Sequence, residues 1–269
     1  MSQFPLTNEQ LLQQAPALFT QEAHSEVSDK YHFVSTIDVI DEIKSFNWYP
    51  TSVQQSSVKD DDKEGYQRHL VRFRHFDDLL NPRDNAVELL LFNSHDRTTA
   101  FSISVGIYRF VCSNGLVIAD SVFASYKIKH IGDRYTDIAT AIDKITSFKP
   151  QLQQKIDIFE SITLSQAEQE SFARSSILLR FDRHLQVDYQ DLLIPHRDAD
   201  TKDDLYTTLN IIQENLLRGN ISGVNNTTGR KFTSREITSI SKDVDVNQGL
   251  WDIAEKIALI KQPQLAMVA

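Results

Sequence analysis

Val87-Glu88-Leu89-Leu90-Leu91-Phe92 runs into Asn93-Ser94-His95-Asp96, and after a second apolar segment the chain reads Tyr108-Arg109-Phe110-Val111-Cys112-Ser113-Asn114-Gly115-Leu116-Val117. The almost unbroken apolar run over residues 86–92 predicts a strand covered on both faces. The polar residues 93–97 then turn the chain back into a second strand over residues 99–105. Residues 106–113 fit two patterns. As a strand they put Arg109 in register with Ile107 and Val111; as a short helix, the favoured reading, they group Ile107, Phe110 and Val111, and Asn114-Gly115 supply a left-handed stop. Strands are expected again at 116–123 and 126–131.

Upstream, residues 7–19 predict a short helix with a Thr7/Gln10 capping box, disturbed at Pro16. Residues 31–34 read as a strand. Thr36 is the expected cap of a helix carrying Ile37, Ile40 and Ile43. From Trp48 the period falls to two: a strand over 48–53, an acidic turn at 59–65 and a return strand form a hairpin. On the return strand Arg68, Arg72 and Arg74 share one face with Tyr66 and Leu70, while His69, Val71, Phe73 and His75 share the other. Downstream, residues 135–148 form a helix limited by Pro150. Two further helices follow within 152–162 and 166–179, then an uncertain connector over 185–195. An amphipathic helix is expected over 202–217 and a last helix over 247–261. Residues 219–231, rich in glycine and amides, read as a long mobile loop. The fold class is thus α+β, mainly antiparallel sheet with packed helices and a helical C-terminal part. Its segments are an N-terminal helical piece (1–24), an α+β core (25–150) and helices packed on that core (151–269).

The 269 residues include 41% hydrophobic and 24% charged residues, ordinary usage for a globular protein with a sizeable core. One cysteine, Cys112, excludes an intrachain disulfide framework and a multi-cysteine zinc site. Residues 1–5 lack a basic segment leading into an apolar core, and no later run reaches the roughly 18 apolar residues of a membrane span. The expectation is a cytoplasmic protein without membrane association.

A net charge of −9 argues against coating duplex DNA by bulk electrostatics, so any nucleic-acid role must rest on local cations. Such a patch is offered by Arg68, Arg72 and Arg74 together with Lys127 and Lys129, with Trp48, Tyr49 and Tyr66 as stacking surfaces, a combination suited to single strands. A second phosphate-contacting arm is offered by Arg218, Arg230, Lys231 and Arg235. The competing reading of the strand face is an exposed sheet surface neutralised by Asp60, Asp61, Asp62, Asp77 and Asp78.

Signals for catalysis are sparse. His95-Asp96 offers an imidazole and a carboxylate, but adjacent strand residues point apart and no helical ligand spacing completes a metal shell; a hairpin turn bonded through Asn93, Ser94 and Asp96 explains the same residues. Cys112 lies in an apolar run without an activating partner. Walker A, GxSxG, dinucleotide and EF-hand patterns are missing, so neither catalytic residues nor a cofactor or metal are assigned, and whether the protein is an enzyme stays open. An unfamiliar metal site using His69, His75 or His95 is the remaining enzymatic reading.

The pattern Asn93-Ser94-His95-Asp96…Thr99, then Tyr108-Arg109-x-Val111-Cys112-x-Asn114-Gly115-Leu116, resembles the phage/plasmid-like family known as domain of unknown function 932. Ile212-Gln213-Glu214-Asn215, Gly219, Ile221-Ser222-Gly223 and Leu250-Trp251 extend the resemblance over most of the chain. It implies a setting among mobile-element genes, near anti-restriction or DNA-repair functions, and no catalytic residue. The element order is also similar to the strand-annealing domains of recombination mediators, a likeness of fold alone. The expectation is a phage or plasmid protein that binds single-stranded DNA as a strand-annealing or recombination accessory, as a homo-oligomer. The alternative is an anti-restriction or anti-defence protein that binds a host factor.

Overall fold

The structure, a computed structural model, describes residues 4–27, 33–58, 60–82, 84–110, 114–117, 126–127 and 134–262, with only the backbone of 114–117, 126–127 and 134–135. The fold is α+β: two antiparallel sheets, seven α-helices among the described residues, and a helical C-terminal part. The chain forms two compact units, Met1–Lys149 and Pro150–Ala269.

The first unit is built on a sheet of order β1-β2-β3-β4-β5: β1 (Trp48–Gln55), β2 (His69–His75), β3 (Asn85–Asn93), β4 (Ser102–Arg109) and β5 (Asn114–Val117). A short β6 (Tyr126–Lys127) also pairs with β4. One face collects Val71, Phe73, Leu89, Leu91, Ile103, Val105 and Ile107 in cross-strand register, all buried. Two helices lie on this unit's core. The first, α1 (Asn8–Gln14), has the expected Thr7/Gln10 capping box and gives way to a 3-10 turn at Pro16–Phe19. The second, α2 (Thr36–Lys44), buries Val39, Ile40 and Ile43 and packs against β1. Its cap is Ser35, whose hydroxyl accepts from the Asp38 N–H, while Thr36 opens the helix and turns its hydroxyl inward.

Several expectations change here. Residues 106–109 are strand, paired to β3 on one side and β5 on the other; two ladders of backbone hydrogen bonds outweigh the helical spacing of the side chains. Phe33 and Val34 are irregular, and Tyr31 and His32 fall outside the described residues. A one-turn helix, α3 (Phe76–Leu80), follows β2 with His75 Nδ1 accepting from the Asp77 N–H. Of the strands expected at 116–123 and 126–131, only 116–117 and 126–127 lie among the described residues.

Pro150 does not end its helix: α4 (Arg134–Ser161) runs through it. A proline removes one i→i−4 hydrogen bond, and burial of Ile142, Ile145 and Phe148 before it and Leu152, Ile156 and Phe159 after it sustains the helix. The second unit holds α5 (Gln166–Ile177), α6 (Leu205–Arg218) and α7 (Ile240–Lys261), the last starting well before residue 247 under a Ser239 cap. Its sheet has the order β7-β8-β9: β7 (Leu185–Val187), β8 (Ser222–Asn225) and β9 (Lys231–Thr233). Residues 219–231, expected to be a loop, therefore form a paired hairpin, extended by the Asn220 N–H to Ser234 O bond of 2.8 Å. No described helix is long and apolar enough to cross a membrane.

Candidate nucleic-acid interface

The β2 arginines are not solvent-facing. Arg72 and Arg74 are buried, and the carboxylate of Glu88 on β3 lies between them, with Arg72 Nη1 to Oε2 at 2.9 Å and Arg74 Nε to Oε1 at 3.6 Å. The register that pairs Arg74 with Glu88 puts these side chains on the same face. A β-bulge between Pro50 and Ser52 brings the Thr51 hydroxyl to Arg74 Nε at 3.1 Å, and the guanidinium sits 3.9 Å above the Tyr108 ring. Burial lowers the Arg74 pKa, and Glu88 and Tyr108 oppose it. Arg68 is half-buried and donates to the Thr99 hydroxyl and the Thr98 carbonyl.

The open cationic strip expected from Arg68, Arg72 and Arg74 is thus replaced by an internal charge network. Strand alternation assigns a side chain to a face, not to solvent, and here that face is covered. Trp48 is buried edge-on to His75, Tyr49 lies beside Phe76, and Tyr66 meets His24 edge-on. The Lys127 backbone pairs with Ser102, and Lys129 and Cys112 lie outside the described residues.

Asn93 to Asp96 form a bonded turn with a buried histidine pair behind it. Asp96 Oδ1 accepts from the Thr98 N–H and hydroxyl, and Ser94 Oγ accepts from the Thr99 N–H. Partial burial pushes the Asp96 carboxyl up, but these Thr98 bonds leave it below the usual carboxylate range. His69 Nδ1 lies 2.9 Å from the Gln67 carbonyl and so carries the proton. Its Nε2 then accepts from the Thr36 hydroxyl at 2.9 Å, and Asn93 Nδ2 donates to that same oxygen at 3.0 Å. Burial, reinforced by nearby His95, lowers His69 to about 3; burial lowers His95 to about 4. Both rings are neutral at pH 7. No group of three or more His, Cys, Asp or Glu among the described residues is placed to hold a metal.

In the second unit, α6 is buried along nearly its whole length, including Gln213, Glu214 and Asn215. Glu214 takes a two-pronged bond from Arg197 and a 2.7 Å contact from Arg218. Asn215 Nδ2 donates to the carbonyls of Leu192 and Ile194, and Gln213 Nε2 donates to Asn247 Oδ1. Sequence periodicity does not assign these roles; their signal is three consecutive polar residues in a helix whose other positions are mostly apolar.

Of the second predicted arm, Arg218 is held by Glu214 and the other three cations are open. Arg230, Lys231 and Arg235 are exposed, and among the described residues none of them has an ion pair. Residues 218–242 carry Arg218, Arg230, Lys231, Arg235 and Lys242 against Glu236 alone. Gly219 makes the geometry possible: its φ is +78°, and a Cβ there would lie 2.6 Å from the Arg235 carbonyl. A cleft of about 940 Å³ opens beside the hairpin, with Tyr189, Phe232 and Lys231 among its lining residues.

The family model described as "Domain of unknown function (DUF932)" matches residues 23–251. The chain is 32% identical to UPF0380 protein YafZ of Escherichia coli (strain K12) over 97% of this chain and 93% of that protein. It is 31% identical to UPF0380 protein YfjQ of the same strain over 94% of this chain and 92% of that protein. No solved structure matches. Since the match spans both internal signatures and the α6 and hairpin residues, the chain belongs to the family of domain of unknown function DUF932.

Proposed function

We propose that the protein binds single-stranded nucleic acid through the β8–β9 hairpin of its second unit, as an accessory to strand annealing or recombination. The observation that supports this reading is the exposed trio Arg230, Lys231 and Arg235, which has no ion pair among the described residues and adjoins a cleft with Tyr189 and Phe232 among its lining residues. Cations neutralise phosphates and release counterions, while aromatic faces stack on bases that a duplex would hide. A narrow hairpin bearing a few cations suits a flexible strand. It does not supply the many phosphate contacts by which a protein of net charge −9 would coat a duplex.

The test is fluorescence anisotropy with a labelled oligonucleotide across a salt series. The R230E/K231E variant is expected to weaken binding and flatten the salt slope by about 0.7 for each phosphate that is no longer neutralised. No salt-dependent binding at low ionic strength would remove the proposal.

A second reading has its own support. Asp60, Asp61, Asp62 and Glu64 cluster with Lys63 on an exposed 3-10 turn. That acidic surface suits docking to the basic, nucleic-acid-binding face of a host defence protein. Protection of plasmid or phage DNA in a plating assay, lost on replacing the three aspartates by asparagine, would support it; no protection by the parent would count against it.

A further inference from the structure

At the foot of the β8–β9 hairpin three separate segments bring cations together. Arg180, just beyond α5, donates through Nη2 to the carbonyl of Arg235, which follows β9. Lys242, in the first turn of α7, donates through Nζ at 2.8 Å to the carbonyl of Leu179, the residue before Arg180. The exposed Arg235 side chain leaves the residue whose carbonyl Arg180 holds. Backbone contacts thus fix where all three charges arise.

Among the described residues none of the three has an ion pair, and Arg180 and Lys242 are bonded to carbonyl dipoles instead. Arg180 is half-buried, its Nη1 is covered without a hydrogen-bond partner, and burial lowers its pKa. Lys242 stands at the positive end of a helix, where a cation is disfavoured. Neighbouring carboxylates bring no relief: Asp182 and Glu236 are exposed and pair with none of these cations, and Asp243 accepts from Asn247. Like charges held close, one partly desolvated and one opposed by a helix dipole, cost free energy that an external anion would offset.

We propose that a phosphate docks at this foot, on Lys242 and Arg235 with Arg180 behind them, as a second contact for the strand held at Arg230 and Lys231. The proposal rests on the reading of the hairpin as a single-strand binder and adds the course of the backbone. Ser234 continues the ladder through its bonds to Ile221 and Asn220, so Lys231 and Arg235 stand about 13 Å apart along extended chain. At about 3.4 Å per phosphate of a stacked strand, the two contacts lie about four phosphates apart. The Lys242 ammonium keeps further N–H donors for this role.

The experiment uses the full chain and a labelled thymine oligodeoxynucleotide of about twelve nucleotides, long enough to cover both contacts, with Kd measured by anisotropy between about 50 and 200 mM salt. R180Q/K242Q should shrink the parent's loss of affinity over that range by about 2.6-fold for one phosphate contact, while the charge-preserving R180K/K242R keeps the parent's salt dependence. An unchanged salt dependence in R180Q/K242Q overturns the second contact and leaves the hairpin reading in place. Equal changes in both variants assign the loss to packing and overturn it as well. Circular dichroism checks folding; should R180Q/K242Q be unfolded, K242Q decides by the same measure. A parent that binds no oligonucleotide overturns both readings.

Discussion

Replacing Glu88 by glutamine tests whether the β2 arginines are structural. Glu88 is fully buried and lies between two buried guanidiniums at 2.9 and 3.6 Å, so the substitution keeps shape and removes the charge both arginines face. Removing one partner of a buried ion pair costs about 3–5 kcal/mol, because the remaining charge keeps its desolvation penalty. Against the roughly 5–15 kcal/mol that holds a typical domain, that is about a fifth or more of the total. For a unit of this size each kcal/mol lowers Tm by about 2–4 °C, so E88Q should melt some 6–20 °C below the parent. Urea and thermal unfolding followed by tryptophan emission would show it, Trp48 reporting on the first unit and Trp251 on the second. Hydrogen exchange at β2–β4 amides assigns the transition. The exposed control R230A should stay within about 0.5 kcal/mol. An E88Q midpoint within about 2 °C of the parent would refute the buried network and return Arg72 and Arg74 to solvent.

Three further outcomes follow from geometry. His69 and His95 are held at about 3 and 4 in the fold against 6.5 in the unfolded chain, so acid favours unfolding; their contribution is complete above pH 6.5 and drains at about 1.4 kcal/mol per pH unit for each ring as pH falls toward those values. H69Q should reduce that slope by one proton in urea titrations between pH 6 and 4, and an unchanged slope would contradict a neutral buried His69. G219A, which places a Cβ 2.6 Å from the Arg235 backbone at a φ of +78°, should destabilise the second unit by more than about 1–3 kcal/mol, whereas G229A at φ +68° meets nothing within 4 Å and should cost only about 1 kcal/mol; equal losses by calorimetry would show that the close approach is not real. E214Q removes the charge shared by Arg197 and Arg218 and should cost about 3 kcal/mol in the Trp251-monitored transition, with a loss under 1 kcal/mol arguing against that cluster.

What was legible in the sequence was periodicity. The run at 86–92, the helix with Ile37, Ile40 and Ile43, and the Thr7 capping box all yield elements close to those expected. What periodicity does not carry is the identity of the neighbour. Arg72 and Arg74 alternate as a surface strand would, yet the single carboxylate, Glu88, in the otherwise apolar run 86–92 is the one local sign of an internal partner. Residues 106–109 have helical spacing but are held by ladders on two sides, a tertiary effect with no local signature. The hairpin strands, four and three residues long, are too short to show a period of two, and so residues 219–231 looked like a loop. At the site, the composition around Arg230 and Lys231 was readable, but the pairing of Phe232 with Gly223 across the hairpin needed strand register.

The encasement of α6 bears on how the chain is made. Leu250 and Trp251 are fully buried, and Asn247 bonds to Gln213, so α6 completes its surroundings only with residues translated some thirty positions after it. Without them a helix rich in leucine and isoleucine is left unsheltered, open to chaperones and proteases. A stop codon anywhere ahead of residue 240 would leave it so permanently, and such truncated products are expected to be degraded, taking the hairpin's function with them.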